Sequence, residues 1–251
     1  MSRFGVALLA AAALAATQRT GGIAAFSREQ LNASLAGRVQ APAPRTYLVV
    51  VDDVHMDVRG TARVRRLLQD LSSSGREADT WSLVTTGSPG FRLEPTKGGA
   101  SLRAWVSRVT GNALALREQL NAFGDPDRTA IVRRRASITD IVIAQAIERV
   151  AEVATGPLTI VYVTDGYDAR MVPGMSEVVR ATGEARASLV VISVPDLAAM
   201  REPPADVRPE EWTAFTEAGR ASLRTLAEQT GGVAVFSREQ LDTVLARLSQ
   251  P

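Results

Sequence analysis

Two apolar runs that each end on aspartate constrain the fold of this chain more than any other feature. Residues 158–164 read LTIVYVT and are followed by Asp165, and residues 46–51 read TYLVVV and are followed by Asp52 and Asp53. Continuous runs of β-branched and aromatic residues predict strands buried on both faces, as in a parallel sheet. Open α/β sheets bind their ligands outside the carboxyl ends of their strands. The two runs therefore predict one shared site.

Strand-like runs alternate with helical patterns along the rest of the chain. This alternation predicts an α/β fold with a doubly wound, mostly parallel sheet and helices on both faces, that is, a Rossmann-like fold. The strands are predicted at 46–52, 80–86, 158–164, 188–194 and 233–236, with a short antiparallel edge strand at 91–95 joined to its neighbour by the turn 87–90. The helices are predicted at 58–72, 101–108, 113–123, 138–154, 174–186, 210–228 and 237–248. We expect the polar loop 195–209, which contains four prolines, to be exposed.

The first sixteen residues have the pattern of a secretory signal peptide. They read MSRFGVALLAAAALAA, with one arginine, a short apolar stretch and the small-x-small site Ala13-Leu14-Ala15. The alternative is an uncleaved anchor. Cleavage at this site predicts a secreted or periplasmic protein with no membrane span after the leader is removed. Because the chain contains no cysteine, disulfides, thiolate zinc sites and cysteine nucleophiles are excluded.

A long repeat links the two ends of the chain. Residues 20–40, TGGIAAFSREQLNASLAGRVQ, are identical to residues 230–250, TGGVAVFSREQLDTVLARLSQ, at 13 of 21 positions (T, G, G, A, F, S, R, E, Q, L, L, A and Q). The two copies encode the same strand and helix, so we hypothesise that the first can substitute for the second at one edge of the sheet. We therefore divide the chain into a signal peptide (1–16), a partial repeat with a Pro-Ala linker (17–45) and one domain (46–251).

Four short motifs together resemble the von Willebrand factor type A domain over about residues 46–248. They are Asp52-Asp53-Val54-His55, Thr85-Thr86, the Thr-Asp-Gly of 164–166 and the Thr-Gly-Gly of 230–232. The chain most resembles a bacterial secreted branch of that family, in which the first strand ends in Asp-Asp-x-His and the second runs into Thr-Thr. The resemblance implies the α/β fold described above and a role in binding.

The resemblance also implies a metal-ion-dependent adhesion site. In the family, an Asp-x-Ser-x-Ser loop, a threonine and an aspartate from a third loop surround a divalent cation, and an acidic group of the partner completes its coordination. On this chain the implied metal ligands are Asp52, Asp53, Thr139 and Asp165, and the implied ion is Mg²⁺ or Mn²⁺. Hard cations of this kind prefer oxygen ligands.

Two departures from the family motif leave the metal open. Val54 and Met56 stand where the two serines belong and supply no oxygen. Asp53 or Asp57 could replace a lost serine, and His55, the only histidine, could ligate a softer ion such as manganese or zinc. The alternative is that no metal binds and that the acids are solvated or capped by backbone amides of the following helices.

Other function classes find less support in the sequence. There is no Gly-x-Ser-x-Gly nucleophile elbow and no phosphate-binding loop with its lysine. The arginine clusters at 63–66 and 133–135 are not interleaved with aromatic residues, so nucleic acid is not the expected partner. We therefore expect no enzyme, but an exported domain that recognises a protein or cell-surface ligand with the loops 53–60, 87–90, 123–139 and 166–175. The alternatives are a metal-free structural or assembly module and, third, a metal-dependent enzyme.

Overall fold

The computed structural model describes five stretches of the chain. They are residues 43–87, 92–122, 124–167, 175–197 and 203–249. The predicted signal peptide, the first copy of the repeat and Asp168, an acidic residue just beyond the Thr-Asp-Gly motif, lie outside them.

Six strands of the described chain form one twisted sheet, as the sequence predicts. They are β1 (Thr46–Val51), β2 (Thr80–Thr85), β3 (Arg92–Lys97), β4 (Leu158–Thr164), β5 (Ser188–Ser193) and β6 (Val233–Val235). The order across the sheet is β3-β2-β1-β4-β5-β6, and only β3 runs antiparallel to its neighbour. The predicted antiparallel edge strand is therefore confirmed.

Eight α-helices connect and flank these strands in the described part of the chain. They are α1 (Thr61–Ser74), α2 (Ala100–Trp105), α3 (Leu116–Leu120), α4 (Pro126–Val153), α5 (Ser176–Glu184), α6 (Val194–Leu197), α7 (Pro209–Thr230) and α8 (Arg238–Ser249). Two single turns of 3-10 helix, Val58–Gly60 and Val106–Arg108, adjoin α1 and α2.

Two apolar layers cover the two faces of the sheet. Leu48 and Val50 of β1 contribute to the layer that contains α4, α5 and α7, whereas Tyr47, Val49 and Val51 contribute to the layer that contains α1, α2 and α8. Since successive side chains of a strand point to opposite faces, this alternation shows helices packed on both sides of β1. The predicted doubly wound α/β fold is confirmed.

Helix α4 begins 12 residues before the start of the helix predicted at 138–154, so the predicted start was wrong. The helix begins at Pro126, and the Asp125 side chain accepts hydrogen bonds from the N–H groups of Asp127 and Arg128. An aspartate N-cap followed by proline in the first turn is a helix start signal. The apolar period begins only later because none of the side chains before Ala136 in this helix is buried.

The expected exposure of the loop 195–209 is confirmed at Ala205, Asp206, Arg208 and Pro209 and is wrong at two other described residues. Val207 is buried against Trp212 and Leu116 in a small apolar cluster. Pro195 is buried as well.

No helix among the described residues is long and apolar enough to cross a membrane.

Candidate functional site

The site predicted from the acid-tipped strands lies where the winding of the sheet reverses. Strands β2 and β3 lie on one side of β1, and β5 and β6 lie on the far side of its other neighbour, β4. The crevice outside the carboxyl ends of two such strands is the usual ligand position in open α/β sheets. Asp52 follows β1 and donates its N–H to the Val163 carbonyl of β4 at 2.8 Å, and Asp165 follows β4. The structure therefore places both aspartates at neighbouring strand ends.

The Asp52 carboxylate is fully buried and enclosed by side-chain donors. Its Oδ2 accepts hydrogen bonds from Tyr162 Oη at 2.6 Å and Thr164 Oγ1 at 2.9 Å, and its Oδ1 accepts one from Thr86 Oγ1 at 2.8 Å. His55 Nδ1 lies 3.0 Å from Oδ2. Burial alone would raise the pKa of Asp52, but the facing His55 and these hydrogen bonds lower it to about 2. Asp52 is therefore an ionised carboxylate with both oxygens engaged.

Asp53 is anchored to the end of β2 rather than directed into the crevice. Its Oδ1 accepts a hydrogen bond from the Gly87 N–H at 2.6 Å and lies 3.2 Å from Thr86 Oγ1. Burial is the main cause that raises the pKa of Asp53, and the charge of Asp52 adds to it. A Cβ at position 87 would lie 2.6 Å from Asp53 Oδ2. Glycine at this position therefore allows the carboxylate to reach the backbone.

The Asp165 carboxyl is buried but only half satisfied. Its Oδ2 accepts a hydrogen bond from the Asp57 N–H at 2.8 Å. Its Oδ1 is buried without a hydrogen-bond partner. Burial, followed by the nearby charges of Asp57 and Asp52, raises the pKa of Asp165 to about 8 despite the backbone hydrogen bond. The pKa values of the two strand-end aspartates are thus shifted in opposite directions.

Thr139, the threonine predicted from the family resemblance, lies on α4 and makes no such contact. Its hydroxyl is buried and has no hydrogen-bond partner. The adjacent Asp140 caps α5 by accepting hydrogen bonds from the N–H groups of Glu177 at 3.3 Å and Val178 at 3.0 Å. In the described part of the chain Thr86, which follows β2, and not Thr139, donates a hydrogen bond to Asp52.

The donor chemistry around these acids does not fit a metal site. Met56, at the position of a family serine, is fully buried in the apolar layer with Val49 and Val51. The described residues contain no group of three or more His, Cys, Asp or Glu side chains placed to hold a metal ion. The hydroxyls and the imidazole that surround Asp52 are arranged as hydrogen-bonding groups. Metal binding by Asp52, Asp53, Thr139 and Asp165 stays a prediction.

Two arginines, Arg59 and Arg135, fix the loop that follows β1. Arg135 of α4 donates hydrogen bonds from Nη2 to the Val54 carbonyl at 3.1 Å and to the Asn112 carbonyl at 2.9 Å. The guanidinium of Arg59 lies 5.8 Å from the centre of the Trp212 ring. Trp212 lies in the first turn of α7. These contacts hold the loop after β1 between α4 and α7, so a partner would meet this loop before it met the acids.

Sequence reasoning missed Tyr162 and Thr164 as parts of the site. Both precede Asp165 within β4, and both bind Asp52 across the strand pair. Residues two apart share one face of a strand. Tyr162 and Thr164 therefore lie on the same face of β4, and this spacing was the signal that could have placed both hydroxyls at the site. Thr86 was part of the Thr-Thr motif but was not connected with Asp52.

A comparison with solved structures finds a likeness in fold. The fold is similar to a von Willebrand factor type A from Catenulispora acidiphila, with 14% sequence identity, a TM-score of 0.43 and coverage of 82% of this chain. The chain spans 42% of the length of that protein. That protein carries the name of the family that the sequence motifs resemble. No protein-family model matches the chain, and no curated protein matches it.

Proposed function

We propose that the chain is an exported binding domain of the von Willebrand factor type A kind, which contacts a protein ligand with the carboxyl edge of its sheet. The predicted signal peptide supports export. The reversal of winding between β1 and β4 supports the position of the contact, because ligands of open α/β sheets bind there.

The observation that carries the proposal is a hydrogen-bonded turn that presents an exposed valine at this edge. Asp165 accepts the N–H of Asp57, and Asp57 in turn accepts the N–H of Arg59 at 2.8 Å and the guanidinium of Arg59 at 2.9 Å. Val58 stands between them with 64% of its surface exposed. Val58 therefore offers an exposed apolar side chain on a turn whose backbone is hydrogen-bonded to the buried Asp165.

The first turns of α4 extend this surface. Arg135 of α4 contacts the loop after β1. From Arg135 back to Pro126 the helix has no buried side chain. Ile131 in these turns is 54% exposed. We name Val58, Arg59 and Ile131 the carboxyl-edge surface. Its exposed apolar side chains and its arginine are the residue types from which protein interfaces are built.

We further propose that this contact needs no metal. Asp52 already has donors on both oxygens, and the ionised form is stabilised by them. Hydroxyl groups and His55 stabilise the negative charge of Asp52, which a cation would otherwise balance. In this proposal the acids order the turn, and the carboxyl-edge surface makes the contact.

Paired valine variants test the location of the contact. Val58 lies at the carboxyl edge, whereas Val153, 56% exposed at the end of α4, lies at the amino edge. Immobilised wild-type chain, Val58→Glu and Val153→Glu are exposed to one extract, and the captured proteins are compared. We expect a captured protein that the Val58→Glu chain loses and the Val153→Glu chain keeps. Identical capture by both variants would contradict the proposal and favour a structural module.

A further inference from the structure

The second copy of the repeat fills an edge position that imposes strict backbone demands. Gly231 ends α7 in a left-handed conformation with a φ of 64°. At Gly232, a Cβ would lie 2.2 Å from the Leu189 carbonyl oxygen of β5, so only glycine fits without a shift of the backbone. The first copy carries glycine at both equivalent positions, Gly21 and Gly22.

The turn between β6 and α8 depends on the side chains of two residues that the first copy also contains. The Phe236 N–H donates a hydrogen bond to Gln240 Oε1 at 2.7 Å, and the Gln240 N–H donates one to Ser237 Oγ at 3.2 Å. Together they cap the start of α8. The equivalent residues of the first copy are identical, namely Phe26, Ser27 and Gln30.

Three of the eight differences between the copies fall on side chains that pack. Val235 and Val244 are buried, and Leu248 is partly buried, in the apolar layer shared with α1. The first copy has smaller or charged residues there, Ala25, Ser34 and Arg38. Loss of apolar contact weakens packing without changing the backbone path. The first copy therefore has the glycines and capping residues that this position requires, and fewer of the apolar residues that pack there.

The end of α8 lies beside the start of β1. Arg45, the residue before β1, donates hydrogen bonds from Nη1 to the Leu248 carbonyl at 3.1 Å and to the Arg247 carbonyl at 3.5 Å near the end of α8. If the first copy replaced the second, residue 40 would stand at position 250, and residues 41–45 would lead into β1. Five residues span up to about 17 Å, and a side chain already bridges the two ends.

We propose that residues 20–40 are a second, weaker occupant of the edge position that residues 230–249 fill, and that they reach it within the same chain. The chain then carries one strand-helix unit twice, and the end of the second copy lies beside the start of β1. Proteins whose ends meet tolerate circular permutation, and this arrangement would allow either unit to complete the sheet. An exchange would release the C-terminal unit while the sheet stays complete.

Matched glycine variants test the exchange in the full chain. Gly232→Val blocks the second copy, Gly22→Val blocks the first, and the double variant blocks both. We expect Gly22→Val to leave Tm unchanged, and Gly232→Val to unfold cooperatively at a lower Tm. The double variant should unfold more than about 4 °C below Gly232→Val, a shift that a domain of this size shows for a modest loss of stability. Equal Tm values for Gly232→Val and the double variant would overturn the proposal.

Cross-linking identifies the occupant directly, because the chain has no cysteine of its own. Arg238 Nη1 of α8 lies 3.6 Å from Asp70 Oδ2 of α1, and Arg28 is the equivalent of Arg238 in the first copy. Asp70→Cys is combined with Arg238→Cys or with Arg28→Cys and treated with a short bis-maleimide. We expect the first pair to cross-link in the otherwise unchanged chain and the second pair to cross-link in the Gly232→Val background. Absence of the second product, or its formation only between two chains, would overturn the proposal.

Discussion

Tyr162 Oη lies 2.6 Å from Asp52 Oδ2, and both side chains are fully buried. The hydrogen bond joins the middle of β4 to the residue that follows β1, at the point where the sheet reverses its winding. It keeps an ionised carboxylate inside the protein, because a buried charge is tolerated only when donors surround it. Asp52 is thus a structural centre of the carboxyl edge.

Tyr162→Phe tests this relationship. The variant keeps the ring and removes one donor from a buried, charged acceptor, so we expect the free energy of unfolding to fall by roughly 1.5 to 3 kcal/mol. Urea unfolding at pH 7 measures it. Tyr47→Phe is the matched control, because the equally buried Tyr47 hydroxyl has a longer, 3.4 Å contact with Arg45 Nη1. A loss no greater than that of the control would contradict the role of Asp52.

Asp79 provides a pH-dependent contribution to stability. Its buried carboxylate accepts hydrogen bonds from the Arg76 guanidinium at 2.7 Å and from the N–H groups of Arg45 and Arg76, each at 3.0 Å. Although burial raises the pKa of Asp79, these hydrogen bonds lower it overall. A lowered pKa stabilises the fold above the unfolded value of about 3.9, and this contribution is lost as pH falls through the folded pKa.

We therefore expect Asp79→Asn to lower the free energy of unfolding by roughly 1 to 3 kcal/mol at pH 7 and by progressively less below pH 4. Urea unfolding between pH 7 and pH 3 measures the difference. Asp242→Asn, which removes an exposed ion pair with Arg238, should change the free energy by less than about 0.5 kcal/mol at pH 7. A difference for Asp79→Asn that grows on acidification would refute the expectation.

Gly166 holds the loop after β4 close to α7. Its φ is 83°, and a Cβ there would lie 3.0 Å from the Gly219 Cα. Gly166→Ala should lower the free energy of unfolding by at least about 1 to 2 kcal/mol, from the left-handed backbone alone. Gly183→Ala in α5 serves as control, because no atom lies within 4 Å of its Cβ position, and we expect it to raise stability by about 0.5 kcal/mol. Thermal unfolding distinguishes the two, and equal effects would refute the close approach.

The sheet was predictable because each of its central strands is a continuous apolar run. β1, β4 and β5 are buried on both faces, so their residues carry a signal that does not depend on the rest of the fold. The start of α4 was not predicted from an apolar period because no side chain before Ala136 is fully buried. Only the cap at Asp125 and Pro126 indicates it.

The site was predictable in position but not in its contacts. Asp52 and Asp165 follow strands, and parallel strands bring their ends to one edge. Which hydroxyls reach Asp52 depends on the register of β1 against β4, in which Val50 lies beside Tyr162. Thr86, which follows β2, donates a hydrogen bond to the same carboxylate from the other side. Register of this kind follows from tertiary packing, which a single sequence does not display.

Calorimetric titration of the full chain with Mg²⁺, Mn²⁺ and Zn²⁺ tests the central claim most directly. If hydrogen bonds from Tyr162, Thr164 and Thr86 replace a cation at Asp52, none of the three ions should give saturable heat or raise Tm. Wild type and Asp165→Ala should then give the same flat titration. Saturable binding of any of these ions by the wild type, abolished in Asp165→Ala, would contradict the claim.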